Sequence, residues 1–277
     1  MIDIFQYEFF SNALLAALFA SISCGYIGTY IVTRRIVFIS GGISHASFGG
    51  IGLAYFLGIN PLIGAGVFSL FAALGIESLS KRPELRMDSL IGMMWSFGMA
   101  TGIIFVFLTP GYAANLMTYL FGNILTVSHT DLYLMAAVCL IISAVFFLMY
   151  RAILYTSFDP EYARTLGIPT AMINYLLIGL VALTIVVNIR VVGIILVIAL
   201  LTVPQATASL FSKTYKSIII LAILFGILSS IGGLMISYFL NIPSGATIIF
   251  LSILIFILAR LFSSILPRIR IKKGKVI

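Results

Sequence analysis

The sequence predicts an all-α polytopic membrane protein, and three observations support this fold class. Of the 277 residues, 62% are hydrophobic and 9% are charged, and the mean hydropathy is +1.21. Apolar runs long enough to cross the hydrocarbon layer recur along the chain. The strict alternation that a membrane β-barrel needs is missing. A soluble domain could not carry this much apolar surface, so we expect one membrane-embedded domain over residues 1–277.

Each apolar run bounded by charge, Pro or Gly predicts one membrane-spanning helix. We expect about nine crossings of roughly 20 residues, with about eight as the alternative. Asp3 and Glu8 precede the first run but Lys and Arg do not, so this run is expected to be a retained span rather than a cleaved signal peptide. The predicted spans fall near 9–32, 36–58, 61–79, 87–109, 131–150, 170–189, 191–212, 217–240 and 244–265.

Lys and Arg predict the orientation, because these residues are retained on the cytoplasmic side of membrane proteins. With the N-terminus outside and the C-terminus inside, only Arg190 is left on the outer side. We expect the basic tail, residues 267–277, to rest on anionic headgroups. The cytoplasmic segments and the tail then hold Arg34, Arg35, Lys81, Arg82, Arg86, Arg151, Arg164, Lys213, Lys216, Arg260, Arg268, Arg270, Lys272, Lys273 and Lys275.

The segment 110–130 is apolar but interrupted by Gly, Asn and His residues. The predicted orientation places it on the outer side. We expect a re-entrant or interfacial helix pair there, because irregular backbone at membrane depth must be covered by protein or line a wet cavity.

A short polar helix is predicted over residues 159–166, on the cytoplasmic side. Asp159 and Pro160 are typical of an N-cap and a first helical position. Glu161 and Arg164 suit the two ends of the helix dipole and are spaced so that they can pair. Gly167 suits the left-handed position after the last turn. A helix of about two turns is too short to be stable alone, so other parts of the protein must hold it.

His45 is an ionisable residue within a predicted span and is therefore a candidate functional residue. It lies near the middle of the second span, in the glycine- and serine-rich stretch 40–52. Small residues allow neighbouring backbones to approach closely or widen a path. The imidazole is either hydrogen-bonded to a neighbouring helix or a ligand for a transition metal on a pathway.

Asp88 and Pro204 are two further candidates. Asp88 follows Arg86 at the start of the fourth span, where its position matches an N-cap or first-turn acid. Pro204 should break the seventh span near its inner half and free a backbone carbonyl, and such a kink can be structural or can act as a gate.

The sequence lacks several enzyme motifs. It has no Gly-x-x-x-x-Gly-Lys-Ser/Thr, His-Glu-x-x-His or Gly-x-Ser-x-Gly pattern. We therefore expect neither ATP hydrolysis nor membrane hydrolase activity in this chain. A carrier with so few intramembrane charges needs energy from elsewhere, and the helix at 159–166 is a plausible input.

The order and spacing of several motifs carry a resemblance to a known family. The chain resembles, over essentially its full length, the membrane permease of bacterial ABC importers for zinc, manganese or iron. The motifs are Ser44-His45-Ala46-Ser47, Asn60-Pro61, Lys81-Arg82-Pro83, Asp88-Ser-Leu-Ile-Gly92, Tyr119-Leu-Phe-Gly-Asn-Ile-Leu125, Asp159-Pro-Glu-Tyr-Ala-Arg-Thr-Leu-Gly167, Val192-Gly193 and Pro204-Gln-Ala-Thr-Ala208.

This resemblance implies a type II ABC importer-like bundle in the bacterial cytoplasmic membrane. The permease would work as a homodimer with two cytoplasmic ATPase subunits and an extracytoplasmic metal-binding protein, without a stably bound cofactor or a nucleic-acid partner. It also implies that 159–166 is the coupling helix that contacts the ATPase, with Glu161 and Arg164 at the interface.

The resemblance also exposes a departure at residue 41. The family's usual path motif has an Asp four residues before the His, and this chain has Gly41 there. Imidazole suits Zn, Cu, Fe and Ni, whereas manganese prefers carboxylate oxygen. Zinc is therefore the first expectation for the transported ion, with manganese or iron as alternatives and backbone carbonyls or Asp88 as replacement ligands.

Three other functions stay open at this point. A permease for a larger metal chelate is less consistent with the short chain and with His45. A membrane scaffold or sensor would bind the ATPase yet move no ion. An ion channel is disfavoured, because neither a ring-forming acidic set nor a carbonyl-filter sequence is visible.

Overall fold

The computed structural model describes residues 7–82, 84–110, 122 and 124–273, with side chains through residue 263. A short 3-10 helix, Ile124–Thr126, accompanies the α-helices of these ranges. The predicted all-α fold is confirmed. The α-helices are α1 Glu8–Thr33, α2 Phe38–Leu57, α3 Pro61–Leu79, α4 Met87–Leu108, α5 His129–Leu148, α6 Tyr150–Phe158, α7 Pro160–Thr165, α8 Thr170–Leu200, α9 Val203–Phe211, α10 Tyr215–Leu240 and α11 Ser244–Lys273.

Seven segments of the described chain are long and apolar enough to cross a membrane. One segment, Thr170–Phe211, contains two of the predicted spans, while the Gly- and Ser-rich α2 is not among the seven. α8 is interrupted at Gly193, whose φ of 79° and ψ of 160° are not helical. This break falls close to the predicted boundary at Arg190. The count of about nine crossings and the orientation stay predictions.

Two predicted segments lie partly outside the described residues. Most of the proposed re-entrant stretch, residues 111–121 and 123, is outside them, and so are residues 274–277 of the basic tail. α11 continues to Lys273, so its helical backbone includes most of what was predicted as a tail.

α1 and α8 form the centre of the bundle. α1 buries Ala13, Ala16 and Ala20 completely, and these small side chains let α5, α8 and α10 pack closely against it. α8 contributes larger apolar side chains, including the fully buried Leu177 and Ile185. α2 and α4 pack against each other beside this centre. α3 contacts both α2 and α8.

Glycine sets the close packing of α2 against α4. A Cβ atom at Gly98 would collide with the Cα atom of Ala46 and lie 2.8 Å from the Ala46 carbonyl oxygen. A Cβ atom at Gly49 would lie 2.9 Å from the Gly98 carbonyl oxygen. The two backbones therefore touch directly, and this contact fixes the spacing of the side chains on both helices.

We expect Gly98→Ala to destabilise the protein by about 1–3 kcal/mol, because the added methyl overpacks a backbone contact. Gly92→Ala is the matched control on the same helix, since a Cβ atom there meets nothing within 4 Å. Thermal unfolding of the purified chain in detergent measures both effects. Equal melting temperatures for the two variants would contradict this view of the α2–α4 contact.

Candidate functional site

His45 lies on α2 and stacks face to face on Trp95 of α4. The ring centroids are 4.1 Å apart and the ring planes differ by 9°. The imidazole is half-buried, and its Nδ1 atom is buried without a hydrogen-bond partner among the described residues. Nε2 is therefore the ring nitrogen that can reach a ligand. The alternative in which His45 is hydrogen-bonded to a neighbouring helix finds no such bond in the described part of the chain.

Trp95 fills the space beside Gly41. A Cβ atom on Gly41 would lie 3.1 Å from Cζ3 of the indole, tighter than an ordinary van der Waals contact. The indole thus covers the backbone one helical turn before His45 and packs on the imidazole itself. Trp95 was not among the functional residues predicted from the sequence. The sequence distinguishes it only as the chain's single tryptophan.

The structure does not bring Asp88 next to His45. Asp88 is an exposed residue in the first turn of α4, as its capping context predicts. It precedes Trp95 by seven residues, which is about 10 Å along a helix. Asp88 therefore lies at the start of α4 rather than at the level of the imidazole.

Pro204 lies just after a helix break instead of kinking a continuous helix. α8 ends at Leu200, and Pro204 occupies the first turn of α9. The freed carbonyl of Leu200 accepts a hydrogen bond from Nε2 of Gln205 at 3.1 Å, and the same nitrogen donates to the Cys24 carbonyl at 2.8 Å. These two hydrogen bonds of the fully buried Gln205 connect the helix break to α1. Gln205 was not among the residues predicted from the sequence.

The short polar helix is present as α7, with the predicted cap. Oδ1 of Asp159 accepts a hydrogen bond from the backbone N–H of Tyr162 at 2.9 Å, and Pro160 is the first helical residue. Gly167 has a φ of 74°, in the left-handed region, and its N–H donates to the Arg164 carbonyl at 3.0 Å. These local interactions define both ends of the helix.

α7 presents most of its surface to the outside. Ala163 is fully buried, whereas Glu161, Tyr162 and Arg164 are exposed. Nε of Arg164 donates to Oγ1 of Thr170 at 3.3 Å instead of pairing with Glu161. Glu161 and Arg164 thus do not form the pair that their spacing allows.

α7 is held in place through α6, which precedes it. Ile153 of α6 is fully buried, and Phe158 packs edge-on against the buried Tyr215 of α10. Nη1 of Arg34, at the end of α1, donates to the Thr156 carbonyl at 3.0 Å. The contacts of α6 with Arg34 and Tyr215 hold α7 in place and are here called the mount. They lie at the end of the bundle that carries Arg34, Lys81 and Arg151, here called the basic end.

Two polar side-chain pairs lie at the opposite end of the bundle within the described residues. Nη1 of Arg190 lies 3.0 Å from Oδ1 of the buried Asp131, whose other oxygen accepts from the Ser128 hydroxyl at 2.6 Å. Nε2 of His129 lies 2.6 Å from Oε1 of Glu8, and both side chains are exposed. Arg190, the one basic residue that the predicted orientation leaves on the outer side, is thus paired with Asp131.

Comparisons with known proteins extend over nearly the whole chain. Residues 6–263 match the model of the ABC 3 transport family. The chain is 44% identical over 262 residues to the uncharacterized membrane protein slr2045 of Synechocystis sp., covering 95% of this chain and 93% of the relative. It is 36% identical over 261 residues to the manganese transport system membrane protein MntC of Halalkalibacterium halodurans, covering 94% and 89%.

A solved structure shows a similar fold. The structure described as PsaBC from Streptococcus pneumoniae in complex with Fab superposes on this chain with a TM-score of 0.83 and 35% identity. The match covers 93% of each chain. Sequence and structure comparisons therefore point to the same group of membrane proteins.

Proposed function

This chain belongs to the ABC 3 transport family, and we propose that it is the permease subunit of an importer that moves a divalent first-row transition-metal ion across the cytoplasmic membrane. The match over residues 6–263 and the 36% identity to a manganese transport protein support metal import. The chain has no phosphate-binding loop of its own, so ATP hydrolysis belongs to a separate subunit.

The half-buried His45 carries the proposal. It is an imidazole in α2, which we propose lies within the membrane, and its Nδ1 atom has no hydrogen-bond partner among the described residues. Ionisable groups at membrane depth lose free energy unless they face a partner or a path, and neutral imidazole is a common transition-metal ligand. The arrangement suits transient contact with a passing ion, with Nε2 as the donor atom.

We propose that the path lies between two copies of this chain. In the described ranges, no group of three His, Cys, Asp or Glu side chains is placed to hold a metal ion. Trp95, which covers His45, is 37% exposed, and Met93 and Phe97 of the same helix are exposed as well. A second copy on this surface would bring a second imidazole towards the ion, which supports a homodimer.

Two ions are favoured by different observations. Zinc is favoured by the local chemistry, because Gly41 offers no carboxylate beside His45 and imidazole binds zinc well. Manganese is favoured by the name of the MntC relative. The comparisons thus give zinc no specific support, and manganese or iron is a comparable candidate.

We further propose that the basic end faces the cytoplasm and that α7 is the coupling helix. Its exposed Glu161, Tyr162 and Arg164 would contact a cytoplasmic ATPase subunit, and its mount on α6 would transmit the movement to the bundle. The opposite end, with Arg190 and Asp131, would receive an extracytoplasmic metal-binding protein. Closure of two ATPase subunits would then alternate access to the path.

Arg34→Met should weaken this mount. The variant loses the hydrogen bond to the Thr156 carbonyl, and bonds from charged groups contribute about 1.5–3 kcal/mol. We expect metal transported per ATP hydrolysed to fall by about threefold or more. Arg35→Met is the matched control, because the neighbouring Arg35 side chain is exposed. If both variants transported equally per ATP, the Arg34 bond would have no part in coupling.

The proposed function is tested by elemental mass spectrometry of cells with and without this chain, grown under limitation of zinc, manganese or iron in turn. A fall in one cellular metal in the strain without the chain is the expected result. A fall restricted to manganese or iron would exclude zinc as the main cargo. Unchanged metal contents under every limitation would contradict metal import and favour a scaffold that binds the ATPase without transport.

A further inference from the structure

Trp95 packs directly against the proposed metal ligand His45. It is the chain's single tryptophan, it is 37% exposed, and its indole contacts both Gly41 and His45. We infer that Trp95 is the residue that determines which metal ion the path accepts, an inference that rests on the proposed function and on His45 as a metal ligand.

The Trp95 indole lies close to residue 41. A Cβ atom at residue 41 would lie 3.1 Å from Cζ3 and 3.7 Å from Cη2 of the indole. Residue 41 is one helical turn before His45 and therefore on the same face of α2. A longer side chain at residue 41 would have to displace the indole before it could approach an ion on His45. Gly41 itself offers no side-chain ligand, and Trp95 would hinder an oxygen ligand introduced at this position.

Trp95 also orients the imidazole of His45. Parallel stacking at 4.1 Å holds its ring plane, and the burial of Nδ1 leaves Nε2 as the accessible nitrogen. An ion at this level therefore meets one fixed nitrogen donor from each chain and an aromatic face. Zinc and iron accept such a nitrogen donor readily, whereas manganese prefers carboxylate oxygen. Trp95 is accordingly a positioning residue that disfavours manganese relative to zinc.

A double-substitution cycle tests whether Trp95 hinders a ligand at residue 41. The complete transporter, with its ATPase, is reconstituted in liposomes, and zinc and manganese uptake are measured in competition. Gly41→Asp with Trp95→Leu should raise the manganese-to-zinc ratio by at least about fivefold, a coupling expected for residues in contact. Gly41→Asp alone should shift the ratio far less, because the indole blocks the carboxylate. Trp95→Phe should stay near the wild-type ratio, since a ring can still stack on His45.

The matched control is Phe107→Leu, another aromatic of α4 that is 86% exposed and lies about 18 Å further along the helix. Its ratio should equal that of the wild type. The inference is overturned if the double variant transports with the wild-type ratio, or if Gly41→Asp alone gives the full shift. Absence of uptake of any metal by the wild-type transporter would instead contradict the proposed function.

Fluorescence gives a readout that needs neither transport nor a tolerated double variant. Trp95 supplies all tryptophan emission of the purified full-length chain, and Co²⁺ quenches indole emission at contact distance. We expect saturable quenching by Co²⁺ that excess Zn²⁺ prevents and that His45→Gln abolishes. Unsaturable quenching that is equal in wild type and His45→Gln would instead contradict the proposed function, because no ion would then bind beside the stacked rings. Saturable quenching that Mn²⁺ prevents as effectively as Zn²⁺ would overturn the inference.

Discussion

His45→Ala should reduce ATP-driven metal uptake by at least about tenfold, the loss that even outer-shell changes around a bound metal cause. The substitution removes the nitrogen that we propose as the ion's ligand and leaves the path without an ionisable side chain at the level of Trp95. Competitive uptake of zinc and manganese into liposomes measures the effect. The apparent affinity for metal should fall more than the rate of ATP hydrolysis, since α7 and its mount are unchanged.

His129→Ala is the matched control for this substitution, because the chain has only two histidines. His129 lies at the end of the bundle opposite the basic end and is paired with Glu8 on the surface. We expect its uptake to stay close to that of the wild type. Wild-type uptake by His45→Ala would show that the imidazole is no ligand, and the path would then have to use backbone carbonyls.

Glu161→Lys should release the ATPase subunit from the permease. Glu161 is exposed in the first turn of α7 and makes no ion pair with Arg164, so its charge faces the proposed partner. Like charges placed opposite each other in an interface cost several kcal/mol, so co-purification of the ATPase should fall by at least about tenfold. The permease itself should remain folded, because surface substitutions change stability by only about 0.5 kcal/mol.

Glu84→Lys provides the matched control for this charge reversal. Glu84 is an exposed acid between α3 and α4, on the side of the membrane that the orientation assigns to the cytoplasm. The ATPase should co-purify with this variant as with the wild type. Equal loss of the ATPase in both variants would point to general electrostatic attraction, and undiminished binding by Glu161→Lys would remove Glu161 from the interface.

The features that the sequence predicted well are those that depend on local interactions. Asp159, Pro160 and Gly167 define the ends of α7 through hydrogen bonds and backbone angles within a few residues, so their pattern alone predicts the helix. The seven candidate membrane spans of the described chain also follow from the apolar runs, whereas the Gly- and Ser-rich α2 is helical but not among them. The proposed roles of α7 and of Glu161 and Arg164 in coupling stay predictions.

The features that the sequence did not predict depend on contacts between distant segments. Trp95 reaches Gly41 and His45 only because glycines bring α2 and α4 into backbone contact. Gln205 acquires its role because the carbonyl of Cys24 lies beside the break after Leu200. A periodicity analysis cannot see these pairings, since it treats each helix separately. The proposed metal path of His45 and Asp88 stays a prediction.

The most direct test of metal import is ATP-dependent accumulation of radioactive zinc and manganese in liposomes that contain this permease and its ATPase. We predict accumulation of at least one ion that requires hydrolysable ATP, with the loss in His45→Ala described above. ATP hydrolysis by the assembled complex without accumulation of any divalent metal would contradict the account and leave the chain as a membrane scaffold for the ATPase.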